Sequence, residues 1–213
     1  MMRKYLYILS AFIISSYCLP VELVVEPYLQ NATPISMHIL WETDSYTESI
    51  LEWGEYAFLT EQTIGSSFIN YGSSRIHTVE LAGLSPDTRY YYRVVYEGNY
   101  SELHDFITPP EPSSEASFRI IAMSDMQRDN SNPNKFNEVV HDGVIDYFSE
   151  EYSNDLAAEL AMVLVTGDLV STGTSYSQWQ DHFFEPSEDL FSHVPLYPVF
   201  GNHEQNTDYF IKY

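Results

Sequence analysis

The fold is decided by residues 118–127, which read Phe-Arg-Ile-Ile-Ala-Met-Ser-Asp-Met-Gln. The first six form an almost continuous apolar run, which is typical of a parallel strand covered on both faces. Similar runs follow at residues 161–165 and 196–200. Because helical patterns separate the three runs, we expect parallel strands joined by right-handed crossovers, in the order β-α-β-α-β.

Two helices are expected between these strands. Asn132 and Pro133 are residues that cap and start helices. Apolar side chains then recur at helical spacing, at Phe136, Val139, Val140, Val144, Tyr147 and Phe148. Tyr176, Trp179 and Phe183 indicate a second helix at the same spacing.

Residues 21–108 have a different pattern. Short segments rich in β-branched and aromatic residues alternate with turn residues and show no helical period. The segments are 36–41, 49–53, 75–81 and 90–96. Several short strands at this spacing predict a β-sandwich. We expect its histidines His38, His77 and His104 to lie at the surface.

A linker is expected between the two regions. Pro109, Pro110 and Pro112 remove amide donors and fix φ, so neither a strand nor a helix continues through them. We therefore predict a domain at 21–108, a linker at 109–116 and a second domain at 117–213.

The N-terminus has the order of a signal peptide, predicted at residues 1–20. Basic Arg3 and Lys4 precede an apolar run at 5–14 and two small serines, and this run is too short to span a bilayer. An apolar first strand is the alternative. Cys18 is the only cysteine, so a disulfide framework is excluded; a lipid anchor on Cys18 stays open as an alternative to free secretion.

The charge is strongly acidic. Nine Lys and Arg residues against 31 Asp and Glu residues give a net charge of −22 over 213 residues. A nucleic-acid binder needs a basic face, so this class of partner is not expected. The surplus carboxylates are available for cations, and the sequence leaves the oligomeric state open.

Polar side chains follow each of the three predicted parallel strands. Because the carboxyl ends of parallel strands gather ligand groups at one edge of the sheet, these side chains should lie together. They are Asp125, Gln127, Asp168, Asn202 and His203. Carboxylate and amide oxygens with an imidazole suit a hard or borderline divalent cation. Gly167 and Gly201 let the backbone turn sharply there.

The three strand ends read Asp-x-Gln, Gly-Asp and Gly-Asn-His-Glu. In this order they resemble the first three signature blocks of the calcineurin-like metallophosphoesterases. Residues 84–94 resemble the strand entry of fibronectin type III domains, which would make Tyr90 the corner tyrosine and Trp41 the core tryptophan. With Pro27-Tyr28-Leu29-Gln30 near the start, the layout is similar to purple acid phosphatases.

The resemblance implies roles for these residues in the hydrolysis of phosphate mono- or diesters by two divalent ions, of manganese, zinc or iron. Asp125 and Gln127 would bind the first ion, Asp168 would bridge both and Asn202 would bind the second. His203 would approach the phosphoryl group of the substrate. Glu204 is expected to orient a neighbour, as carboxylates behind metal ligands do.

The sequence departs from the family pattern in three ways. Gln127 stands where a histidine is usual, which leaves the metal preference of the first site open. Ser171 stands where purple acid phosphatases carry a tyrosine ligand, so ferric iron and its purple colour are not expected. The family supplies at least three later histidines, whereas the last one here is His203. A C-terminally truncated domain with impaired hydrolysis is therefore expected.

Other interpretations remain open at this point. Asp125 and Asp168 could cap helices, and Gln127 could be a surface residue. His182 and His193 are expected to be structural. The chain could also be an extracellular binding or adhesion module with an inert phosphoesterase remnant, or a phosphoesterase-like scaffold without catalysis.

Overall fold

The computed structural model describes residues 20–204 and 207–213. The predicted signal peptide, including Cys18, lies outside the described residues except for Pro20. In the described ranges no helix is both long and apolar enough to cross a membrane. The chain folds as an all-β sandwich followed by a partial α/β domain, as the sequence predicts.

The sandwich is built from two antiparallel sheets. Its strands are β1 (Leu23–Thr33), β2 (Ser36–Thr43), β3 (Ile50–Gly54), β4 (Glu61–Ile64), β5 (Ser66–Ile69), β6 (Arg75–Ala82), β7 (Arg89–Tyr96), β8 (Asn99–Tyr100) and β9 (His104–Ile107). One sheet has the order β1-β2-β6-β5. The other has the order β4-β3-β7-β8, with β9 also paired to β7.

The α/β domain has one parallel sheet in the order β10-β11-β12. Its strands are β10 (Ile120–Met123), β11 (Met162–Thr166) and β12 (Leu196–Val199). The helical segments are Lys135–Glu138, Val139–Asp146, Tyr147–Glu151, Leu156–Glu159, Tyr176–Gln178, Trp179–Phe184, Glu185–Ser187, Glu188–Phe191 and Asp208–Lys212. The first three are contiguous and form the crossover from β10 to β11, with a π-helical middle part.

The sandwich core contains the two aromatic residues expected from the sequence. Trp41 is fully buried. The hydroxyl of Tyr90 accepts a hydrogen bond from the backbone N–H of Ser85 at 2.9 Å, which closes the sandwich corner as the fibronectin-like motif predicts.

The expectation that His77 lies at the surface is wrong. Its ring stacks on Trp41 with 4.9 Å between ring centroids. Its two nitrogens pair with the hydroxyls of Thr43, at 2.7 Å, and Ser49, at 2.8 Å. Burial lowers the pKa of His77 to about 4, so the neutral ring is a core residue whose polar atoms are satisfied.

Among the described residues, the helices cover only one of the two faces of the parallel sheet. Val163 and Leu196 are buried against the helices. On the opposite face Ile120 keeps 43% and Val199 57% of its surface exposed. The apolar run at 118–123 therefore indicates a strand correctly, but the expected cover on both faces is absent within the described ranges.

The two domains meet in an apolar cluster that is separate from the core between the two sheets of the sandwich. Part of the outer face of β1, β2 and β6 packs against the helices of the α/β domain rather than facing water. Val25, Tyr28, Leu40 and Ile76 belong to the same buried cluster as the helical residues. In this part the sheet is therefore buried on both faces, and the sandwich supports the α/β domain directly.

A buried carboxylate crosslinks this interface. Glu42 of β2 is fully buried and accepts five hydrogen bonds from both domains. The donors are Asn70 Nδ2, Ser74 Oγ, Tyr176 OH, Gln180 Nε2 and Tyr213 OH. These bonds replace the water that a carboxylate loses on burial.

Truncation of this carboxylate should destabilise the whole chain. We expect Glu42→Ala to lower the free energy of unfolding by about 3 kcal/mol, because several buried donors lose their acceptor. Urea unfolding measures the change. Glu80→Ala is the matched control: its side chain is 59% exposed, and a change below about 0.5 kcal/mol is expected there. Equal effects of the two substitutions would contradict the interpretation.

Candidate metal centre

The candidate ligands lie on three loops at the carboxyl ends of β10, β11 and β12. Asp125 follows β10 and Asp168 follows β11, and both have left-handed backbones, with φ of 58° and 55°. A non-glycine residue rarely adopts this conformation unless its surroundings hold it there. The two aspartates therefore occupy equivalent, constrained positions at neighbouring strand ends.

Backbone hydrogen bonds join the first two loops. The N–H of Asp125 donates to the carbonyl of Gly167 at 3.2 Å, and the N–H of Gln127 donates to the carbonyl of Asp168 at 3.0 Å. These bonds continue the parallel pairing of β10 and β11 beyond the strands. The loops that carry Asp125, Gln127 and Asp168 are thus held side by side.

The third loop packs directly on Asp168. The N–H of His203 donates to Asp168 Oδ1 at 3.1 Å. A Cβ added to Gly201 would lie only 2.2 Å from the same oxygen, so no larger residue fits without moving the carboxylate. Gly167 has φ of 103° and makes the predicted sharp turn. At position 201 glycine is required for a different reason, because the backbone there lies close to the Asp168 carboxylate.

Glu204 fixes the backbone around this carboxylate. It is fully buried. Its Oε2 accepts from the N–H of Asp168 at 3.0 Å and of Gly201 at 2.6 Å. Its Oε1 accepts from Leu169 at 2.8 Å and Val170 at 3.1 Å. The prediction that Glu204 orients its neighbours is confirmed, and its targets are backbone amides of two loops.

The imidazole of His203 is oriented by a backbone carbonyl. Its Nδ1 lies 2.8 Å from the carbonyl oxygen of Ser171. Because a carbonyl can only accept, Nδ1 must carry the proton of this bond, which leaves Nε2 as the nitrogen available to a ligand. The hydroxyl of Ser171 in turn donates to the carbonyl of Arg128. Ser171 therefore links His203 to the loop after β10.

The donor set fits an oxygen-ligated divalent cation. It consists of two carboxylates, Asp125 and Asp168, and two amides, Gln127 and Asn202. Gln127 Oε1 is buried and has no hydrogen-bond partner among the described residues. This oxygen is therefore available as a ligand for a cation. Asp125 and Asn202 are exposed. Residues 20–204 and 207–213 contain no group of three His, Cys, Asp or Glu side chains suited to a metal.

Sequence reasoning missed a cation beside the first loop. Lys135 Nζ donates to the carbonyl of Asp125 at 3.1 Å and lies 3.6 Å from a carboxylate oxygen of Asp129. It thereby ties the start of the helix to the left-handed residue after β10. The chain has only nine Lys and Arg residues. A basic residue near a strand end is therefore rare enough that the sequence could have indicated Lys135 as a residue of this region.

Two family models match the chain in succession. The purple acid phosphatase N-terminal domain matches residues 25–108, and the calcineurin-like phosphoesterase matches residues 118–213. Together the two matches cover the sandwich and the α/β domain in the order in which the fold presents them. The chain carries a purple acid phosphatase N-terminal domain followed by a calcineurin-like phosphoesterase domain, and its curated relatives are purple acid phosphatases.

Two of these relatives come from Arabidopsis thaliana. "Probable inactive purple acid phosphatase 27" is 30% identical over 62% of this chain and 22% of its own length. "Purple acid phosphatase 15" is 29% identical over 64% of this chain and 27% of its own length. The matched region therefore spans about a quarter of each relative.

A solved structure shares the fold across most of the chain. The structure of PhoD covers 91% of this chain and 40% of its own, with a TM-score of 0.57 and 13% sequence identity. At this identity the likeness concerns the arrangement of the sandwich and the α/β domain alone.

Loss of the Glu204 carboxylate should loosen the three loops. In Glu204→Gln one oxygen becomes an NH₂ group that faces backbone donors, so about two hydrogen bonds are lost. We expect amide hydrogen exchange at residues 168–170 and 201 to become about tenfold faster. Glu138→Gln, at an exposed glutamate of the first helix, is the control. Unchanged protection in Glu204→Gln would show that the carboxylate does not hold these loops.

Proposed function

We propose that this chain supplies the metal-binding half of a phosphoester hydrolase site. The observation that carries the proposal is the convergence of three strand-end loops on Asp168. The first loop bonds to its backbone carbonyl, and the third lies against its carboxylate. The family matches support phosphoester hydrolysis in general. Because the chain spans 22–27% of these two relatives, the activity of a whole protein is part of the proposal.

Four side chains of this chain would hold the metal. Asp125 and Gln127 provide oxygens from the loop after β10, Asp168 provides its carboxylate from the central loop, and Asn202 provides its amide oxygen from the third. A centre of two divalent ions would act as a Lewis acid on the phosphoryl group and lower the pKa of a bound water. The central position of Asp168 suits the residue shared by both ions.

His203 would act on the substrate itself. Its Nδ1 proton is engaged by the Ser171 carbonyl, so only Nε2 can face a phosphoryl or leaving-group oxygen. When Nε2 is protonated it can donate to that oxygen, stabilising the developing charge or transferring the proton. The backbone bond from His203 to Asp168 keeps the ring next to the proposed metal ligands.

The substrate class is a phosphate mono- or diester, and the ions are manganese, zinc or iron. The order of basic, apolar and small residues at the N-terminus supports export of the chain. A secreted or otherwise extracytoplasmic enzyme of this kind would meet its substrates outside the cytoplasm.

Metal binding tests the site without requiring turnover. We expect calorimetric titration with Mn²⁺ to detect binding to the wild-type chain, and both Asp168→Asn and Gly201→Ala to weaken it at least about tenfold, which is about 1.4 kcal/mol. Gly201→Ala acts by displacing the Asp168 carboxylate. Gly143→Ala is the matched control, because a Cβ there meets only one backbone oxygen, at 3.8 Å.

Hydrolysis of p-nitrophenyl phosphate in the presence of Mn²⁺ tests the reaction. An enzyme should lose this activity in Asp168→Asn. A chain that binds neither Mn²⁺ nor Zn²⁺ and releases no p-nitrophenol would contradict the proposal and favour the binding-module alternative.

A further inference from the structure

Arg128 is placed at the edge of the proposed site by backbone contacts. It directly follows Gln127, and its carbonyl accepts the hydrogen bond from the Ser171 hydroxyl. The carbonyl of Ser171 accepts from His203 Nδ1. A single residue, Ser171, therefore separates the backbone of Arg128 from the imidazole that would face the substrate.

Arg128 is also unusual among the cations of the chain. Seven of the nine Lys and Arg residues lie in the described ranges. Six of them use their side chains in ion pairs or hydrogen bonds: Arg75, Arg89, Arg93, Arg119, Lys135 and Lys212. Within those ranges the guanidinium of Arg128 has neither kind of partner, although the chain carries 31 carboxylates.

The positive charge of Arg128 affects the pKa of a histidine in a neighbouring helical segment. Burial lowers the pKa of His182, and the positive charge of Arg128 lowers it further. His182 lies in the helical segment Trp179–Phe184, whose aromatic residues belong to the core of the α/β domain. The guanidinium therefore lies within electrostatic reach of this helix.

A cation outside the metal ligands would favour an anionic substrate here. The net charge of −22 repels a phosphate ester at long range, and two of the carboxylates that make up this charge, those of Asp125 and Asp168, are proposed metal ligands. A local cation adds an attraction of its own to that of the proposed metal ions. A guanidinium presents paired N–H donors that match two phosphate oxygens, which an ammonium does not.

We propose that Arg128 is a substrate-binding residue that holds the phosphoryl oxygens of a phosphate ester beside His203. The inference rests on the proposed function, since it names the group that would recognise the substrate of the same site. It adds a residue outside the metal ligands, and it predicts a preference for the more highly charged monoester over the diester.

Titration with inorganic phosphate tests the inference directly. We expect Arg128→Gln to weaken phosphate binding to the Mn²⁺-saturated chain about tenfold, which is about 1.4 kcal/mol, with unchanged Mn²⁺ affinity. Arg128→Lys should keep part of the affinity, since it keeps the charge but not the paired donors. Arg119→Gln is the matched control: it makes the same change of charge at the opposite end of β10, where Arg119 pairs with Glu159.

The outcomes separate this inference from the proposed function. Phosphate affinities of Arg128→Gln and Arg119→Gln that agree within a factor of two overturn the role of Arg128, while Mn²⁺ binding by the wild type leaves the metal site intact. A wild-type chain that binds Mn²⁺ but no phosphate also overturns it. If the wild type binds no Mn²⁺, the proposed metal site fails, and phosphate titration of the metal-free chains still decides whether Arg128 holds phosphate.

Discussion

The buried carboxylate of Glu204 and its four backbone N–H donors hold the strand-end loops in place. A charge removed from water is costly unless hydrogen bonds replace its hydration, and here the donors come from Asp168, Leu169, Val170 and Gly201. Two of these donors flank the close contact between Gly201 and the Asp168 carboxylate. The left-handed backbone of Asp168 is therefore imposed by its surroundings, and the position of its carboxylate depends on a side chain from the third loop.

The sandwich contributes to this arrangement although it lies at a distance from it. Glu42 of β2 binds Tyr176 and Gln180 across the domain interface. The same helical region holds the loop after β11, since Trp179 Nε1 donates to the carbonyl of Gly173 at 2.8 Å. Gly173 then donates its N–H to the carbonyl of His203 at 3.0 Å. A continuous series of hydrogen-bonded groups thus connects the N-terminal domain with the backbone of His203, and the two domains form parts of one structure.

Local patterns in the sequence predict most of the fold and the position of the candidate site. Three apolar runs that each end in polar residues place Asp125, Asp168 and Asn202 at one edge of a parallel sheet, because the direction of parallel strands leaves no other arrangement. The burial of His77 could also have been predicted from the sequence, because His77 shares its face of β6 with Val79 and Leu81. The contacts of Gly201 and Glu204 could not have been predicted, because close approach between loops depends on tertiary packing. An apolar run likewise predicts a strand, but it does not show which elements cover each face of that strand.

The half-covered parallel sheet has a consequence for the behaviour of the chain in solution. Among the described residues, Ile120 and Val199 belong to an apolar surface that is exposed to water, and mutual repulsion between molecules of net charge −22 opposes contact between two such surfaces. Acidification neutralises carboxylates and salt shortens the range of the repulsion. Neutralising these carboxylates therefore weakens the repulsion that keeps the exposed faces of two such sheets apart.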